Sequence, residues 1–185
     1  MPRAASPRIP RSRVSVSVIV EHEKWRDAID DPLPLLRRAA GAALAQSRRD
    51  RRSKSTASAS VAVALIDDRA MRKLNRTYRG KDKPTNVLSF PAGEAPEDKW
   101  ADKPEGKRAK SRPLGDVAIA LGTVEREAKA QGKTLQDHLT HLMVHAVLHL
   151  LGYDHESDPD ADEMEALERK ALAALGIADP YRLAK

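Results

Sequence analysis

The stretch from Leu135 to His155 reads LQDHLTHLMVHAVLHLLGYDH. It predicts a helix over about 135–151 that ends at Gly152, the residue type that takes a left-handed C′ position without strain. Side chains four apart on a helix share a face, so His145 and His149 can direct two imidazoles at one point. His141 continues the stripe, but the ends of an i, i+4, i+8 triplet lie ~12 Å apart. Ligand nitrogens must each sit about 2.0–2.1 Å from a single zinc ion, so a third ligand requires the chain to turn back. Gly152 supplies that turn, and Tyr153 and Asp154 carry His155 round to the same face. Three neutral imidazoles with one position left open is the ligand set of a catalytic zinc site; a structural site takes four protein ligands. His138 and His141 fall outside this spacing and are expected to support the site or pack beside it.

Outward from that helix, the rest of the chain reads as a small mixed domain. RVSVSVIV (13–20) alternates like a strand, and residues 33–47 carry apolar residues at helical spacing, followed by the basic run RRDRRSK. A second strand falls at 58–66, then a short basic helix over 69–78 with Asp67 or Asp68 as cap and Gly80 as its end. PTNVLSFP supplies a third strand stopped by Pro91, and DVAIA (116–120) a fourth. Helices at about 122–131 and 160–175 flank the one already described. The expected fold is α+β: a small four-stranded mixed sheet packed with about five helices, with the zinc site on a C-terminal helix and the turn after it. Residues 1–12 read as a disordered basic tail and 13–182 as a single domain. Within it, 92–113 forms a flexible loop with three prolines and two glycines and no apolar period.

Composition narrows the class. At 185 residues the chain can bury a core of its own, and it has no cysteine, which excludes disulfides and thiolate metal sites. No apolar run approaches the ~20 residues that span a bilayer, so a cytoplasmic protein with no membrane partner is expected. The net charge of +6 is unevenly placed, with the basic excess before residue 114 and an acidic excess after it. Such a split suits a surface that meets a polyanion, although a solvated basic surface explains the charge alone equally well.

The spacing H-x-x-x-H-x-x-G-x-x-H is also that of zinc peptidases, which carry a glutamate general base after the first histidine. Here that position is Ala146. A peptidase needs a base that takes a proton from water and delivers it to a leaving amine. Phosphodiester cleavage has a better leaving group, and RNA brings a 2′-hydroxyl of its own. The run RAMRKLNRTYRGKDK (69–83) could line one wall of an anionic-substrate groove, with Arg72, Lys73, Arg76, Arg79, Lys81 and Lys83 as candidate RNA contacts, although an ordinary basic amphipathic helix explains it equally well. Asp154, Glu156 and Asp116 are candidate bases, each with a bland alternative as a turn or surface carboxylate. Met164 sits at core spacing with Leu167 and Ala171.

HAVLHLLGYDH, together with LNRTYRGKDKPTNVLSFP (74–91), LGDVAIA (114–120), EMEALE and LGIADPYR, resembles the YbeY family of bacterial endoribonucleases. The only departure in the first block is Ala146 in place of the usual glycine. The resemblance covers about residues 60–182. It implies one Zn2+ per chain held by His145, His149 and His155, with Arg79 and His145 in the catalytic machinery. It also implies single-strand-specific cleavage of rRNA, in particular maturation of the small-subunit (16S) rRNA 3′ end and ribosome quality control. The implied partners are the small ribosomal subunit, ribosomal proteins and an assembly GTPase. A zinc metallopeptidase-like hydrolase and a non-catalytic RNA-binding assembly factor are the competing readings.

Overall fold

The computed structural model describes residues 14–50, 58–93 and 111–181. The expected tail at 1–12, most of the RRDRRSK run and residues 94–110 of the expected loop lie outside them. Among the described residues four strands form one mixed sheet: β1 (Val14–Val20), β2 (Ala59–Ile66), β3 (Val87–Pro91) and β4 (Arg112–Ala120). Six helices pack on it: α1 (Lys24–Ala28), α2 (Pro32–Asp50), α3 (Asp68–Arg79), α4 (Leu121–Ala130), α5 (Leu135–Leu150) and α6 (Asp158–Ala174). The expected four-stranded mixed α/β fold is the fold observed. The helix absent from the sequence reading is α1, a five-residue turn too short to show a period. It is held by Trp25, which is buried and donates its indole N–H to the Ile66 carbonyl at 3.0 Å. No helix among the described residues is long and apolar enough to cross a membrane.

The sheet order is β1-β2-β4-β3, with β1, β2 and β4 parallel and β3 antiparallel on the edge. Because strand side chains alternate between faces, β2 sends Val61, Val63 and Leu65 to one side and Ala64 and Ile66 to the other. β4 does the same with Val117 and Ile119 against Ala118 and Ala120. The first side holds the main core with α2, α5 and α6, and Met164 is buried within it. The second is covered by α3 through Met71, Ala70 and Leu74. The histidine-bearing α5 and the basic α3 therefore lie on opposite faces of the sheet.

Asp67 and Asp68 divide the capping work. Asp67 accepts from the Ala70 N–H at 2.7 Å and starts α3. Asp68 instead reaches α4, accepting from the Thr123 N–H at 2.9 Å and the Arg126 guanidinium at 2.7 Å. Partial burial raises the Asp68 carboxyl, but these bonds outweigh it and leave it below its ordinary range.

β4 begins four residues earlier than the sequence pattern suggests, so the expected loop ends before 113. Arg112 and Pro113 already pair with Ala59 and Ser60. The pairing then skips Leu114 and resumes at Gly115 with Val61, a bulge that interrupts the alternation by which a strand is recognised. Gly115 sits at φ +139°, and a Cβ there would lie 2.2 Å from the Phe90 carbonyl oxygen of β3. Only glycine lets β3 close on the bulge. Gly115→Ala is expected to destabilise the fold by about 2–4 kcal/mol, read as a lower urea midpoint; an unchanged midpoint would show that β3 can be displaced freely.

Candidate metal centre

α5 starts at Thr134, whose hydroxyl accepts from the Asp137 N–H at 3.0 Å, and runs to Leu150. Ten of its residues are buried, so the helix is fixed by the core on most of its circumference and its half-exposed stripe carries His141, His145 and His149. At its end the Gly152 N–H bonds the His149 carbonyl at 2.9 Å and the Tyr153 N–H bonds the Leu148 carbonyl at 3.1 Å. With Gly152 at φ +89° this is the left-handed stop expected from the sequence. Buried Tyr153 anchors the reversal, and Asp154 tightens it by accepting from the His155 N–H at 2.7 Å.

The reversal brings the third imidazole to the first two. His145, His149 and His155 each offer a ring nitrogen, and these atoms all lie within 4.8 Å of one another. The Nε2 atoms of His145 and His149 are 3.1 Å apart. Ligands 2.0–2.1 Å from a tetrahedral zinc are separated by ~3.3 Å, so the spacing fits one ion bridging them. Burial, followed by the neighbouring His145 and His155, pushes the His149 pKa down and keeps its lone pair free for a metal. A three-histidine group fits a metal ion here.

The group that orients these ligands was not found in the sequence. Glu168 of α6 is fully buried, and it accepts from His145 Nδ1 at 2.7 Å and from His141 Nε2 at 2.9 Å. The Tyr181 hydroxyl also donates to Oε2. Burial alone would raise the Glu168 carboxyl, but the bonds from His141 and His145 prevail and hold its pKa at about 2. An ionised Glu168 accepts only, so His145 carries its proton on Nδ1 and leaves the Nε2 lone pair bare, the form that could ligate a metal. Burial and the adjacent Glu168 raise the Tyr181 phenol, keeping it protonated as a donor. A signal was present: Met164, Leu167, Ala171 and Leu172 form a buried helical stripe, and Glu168 falls on it. A carboxylate on such a stripe is almost always paired.

The remaining candidates separate clearly. His138 is 2% exposed and bonds Glu127 at 2.9 Å, a packing role matching expectation. Asp154 Oδ1 lies 4.0 Å from His149 Nδ1, behind the ring and away from the converging nitrogens. Glu156 is exposed, next to His155. Asp116 does not belong with this group, which corrects its candidacy as a base. The alternation of β4 puts it with Ala118 and Ala120 on the α3 face of the sheet. Among the described residues no carboxylate joins the three nitrogens.

Arg79 is exposed at the C-terminal end of α3. Arg72 is paired with Asp82 at 2.7 Å. Among the described residues no ion pair holds Lys73, Arg76, Arg79, Lys81 or Lys83. The segment from Gly80 to Asn86 carries this basic surface round to β3, the edge strand that packs against α5 through Ser89.

A family model described as endoribonuclease YbeY matches residues 23–176. The chain is 48% identical over 180 residues to endoribonuclease YbeY of Parvibaculum lavamentivorans, covering 97% of this chain and 91% of that protein. It is 46% identical over 170 residues to endoribonuclease YbeY of Azorhizobium caulinodans, covering 92% and 98%. The solution structure of TM1509 from Thermotoga maritima matches at a TM-score of 0.50 and 21% identity, over 91% of this chain and 100% of that one, and so shares the fold.

Replacing Glu168 by Gln leaves one acceptor for two imidazole donors. Zinc affinity is expected to fall about 10–100-fold, measured by competition with a chromophoric chelator, while far-ultraviolet circular dichroism stays that of a folded chain. Wild-type affinity in the variant would show that Glu168 does not set the ligand.

Proposed function

The chain belongs to the YbeY family of endoribonucleases, and on that premise we propose that it is a zinc-dependent enzyme that cuts single-stranded RNA. We take the rRNA of the small ribosomal subunit as its substrate, with maturation of the 16S 3′ end, ribosome quality control, and contacts with ribosomal proteins and an assembly GTPase as its setting. The observation that carries the catalytic reading is the convergence of His145, His149 and His155 at the end of a rigid helix. A zinc ion there would supply electrophilic stabilisation of a phosphate oxygen and lower the pKa of a bound water to about 7.

The chain's own residues then have limited and definable work. His145 and His149 are held by α5, and His155 by the Gly152 turn. Glu168 keeps the His145 proton on the atom facing away from the reaction. Arg79 and the basic residues beside it supply positive charge for the phosphate backbone. Because α3 and α5 occupy opposite sheet faces, an RNA strand touching both passes over the β3 side of the sheet.

Ala146 argues against a peptidase in a way the sequence alone did not. The residue is fully buried in the main core, and Ser89 Oγ approaches its carbonyl at 3.5 Å. A carboxylate at this position would enter the core under β3, so the position is not a lapsed general base. RNA cleavage depends less on such a base, since the substrate carries a 2′-hydroxyl beside each phosphate.

Incubated with zinc, the wild type is expected to cut a single-stranded RNA and leave an unstructured protein intact, with His149→Ala inactive on both. Proteolysis without RNA cleavage would overturn the proposal, and tight RNA binding without cleavage by either protein would favour the assembly factor. Arg79→Glu is expected to bind zinc as the wild type does and to lose about 10²-fold or more in kcat/KM on RNA; equal cleavage would remove Arg79 from the mechanism.

A further inference from the structure

A cavity of about 650 Å³ opens beside the metal group, within the range of small-ligand pockets. His145 forms part of its wall, and the cavity follows α5 away from the metal through His141 and Leu142 to His138. His145 lies seven positions along the helix from His138, ~10 Å of rise. The pocket therefore begins where the metal site ends. Val87, Leu142 and Pro180 give it apolar walls suited to the faces of a planar ring.

Its polar side is set by Glu127 on the last turns of α4. Glu127 Oε2 accepts from Asn86 Nδ2 at 2.8 Å and lies 2.9 Å from His138 Nε2. These two contacts fix the carboxylate. Oε1 has no partner among the described residues, and the side chain is one-third exposed. His138, pushed toward its neutral form by burial, places no positive charge at the carboxylate. Lys133 lines the same pocket, its ammonium placed by Gln131 Oε1 at 2.7 Å and the Pro180 carbonyl at 3.4 Å.

A fixed acceptor with a cation on the same wall repels phosphate at the acceptor but matches a base edge. Cytosine, adenine and guanine each present an amino donor beside ring acceptors, whereas uracil presents carbonyls on both sides of its N–H. We infer that this cavity holds one RNA base next to the metal, and that Glu127 selects bases bearing an exocyclic amino group. The inference rests on the endoribonuclease reading, which it deepens by giving the site a nucleotide preference.

The test uses the full-length protein, zinc-loaded, with CMP and UMP as probes and the amide resonances of Gln131 and Leu142 as readout. CMP is expected to shift these resonances and to bind at least about fivefold tighter than UMP. In E127Q the fixed carboxylate becomes an amide that can also donate, so the preference is expected to vanish or reverse. With single-stranded oligo(C) and oligo(U), the wild type is expected to show the preference in KM with little change in kcat, and E127Q to raise KM for oligo(C). Equal binding of CMP and UMP, or resonance shifts confined to residues away from the cavity, overturns the inference. RNA cleaved by wild type and E127Q with the same base preference also overturns it and leaves the endoribonuclease reading standing. A wild type that binds CMP over UMP through Glu127 but cuts no RNA upholds the pocket and removes the nuclease.

Discussion

A single buried carboxylate links three segments of the C-terminal half of this molecule. An isolated charge in a protein interior is strongly unfavourable unless it is paired and hydrogen-bonded. Glu168 meets that condition by taking donors from two turns of α5 and from the segment after α6. The same contacts that solvate the charge tie α6 to α5 and set the tautomer of His145. Stability and ligand geometry are thus one requirement: a substitution that relaxes the carboxylate loosens the helix pair and frees the imidazole together.

What the sequence made legible follows from local rules. The helix over 135–151, its Gly152 stop and the return of His155 are each set by neighbours in the chain, and all appear as expected. The strand at 116–120 was visible because its side chains are apolar on both faces. Its first four residues were hidden because a proline and a bulge break the period, and α1 because one turn has no period to show. Glu168 was missed for a different reason. Its role depends on His141 and His145, more than 20 residues away, and only a charged residue on a buried helical stripe hinted at it. Asp116 was misjudged on face alone, since the alternation that buries Val117 turns Asp116 away from the metal.

The placement of charge also reads differently in three dimensions. As a string, the basic block 69–83 reads as one wall of an anionic-substrate groove. In the fold that block and the histidine motif lie on opposite faces of a four-stranded sheet, and among the described residues the segment from Gly80 to Asn86 leads from the first to the β3 edge. A strand of nucleic acid is a natural object to bridge such a gap, because it is long, flexible and uniformly charged. A compact peptide would touch one face or the other. The geometry thus favours a polymeric anion over a small one.

The helix that carries the ligands is also the helix most enclosed by the core. Ten buried side chains position α5 through contacts that involve no metal. Two of the three imidazoles are therefore in place once the chain has folded, and the third follows from a backbone turn. In many small zinc proteins the ion is part of the folding reaction; here the contacts that place α5 are those of the apolar core. An ion taken up at this group would meet a finished fold, and could leave or be exchanged without the helix having to refold.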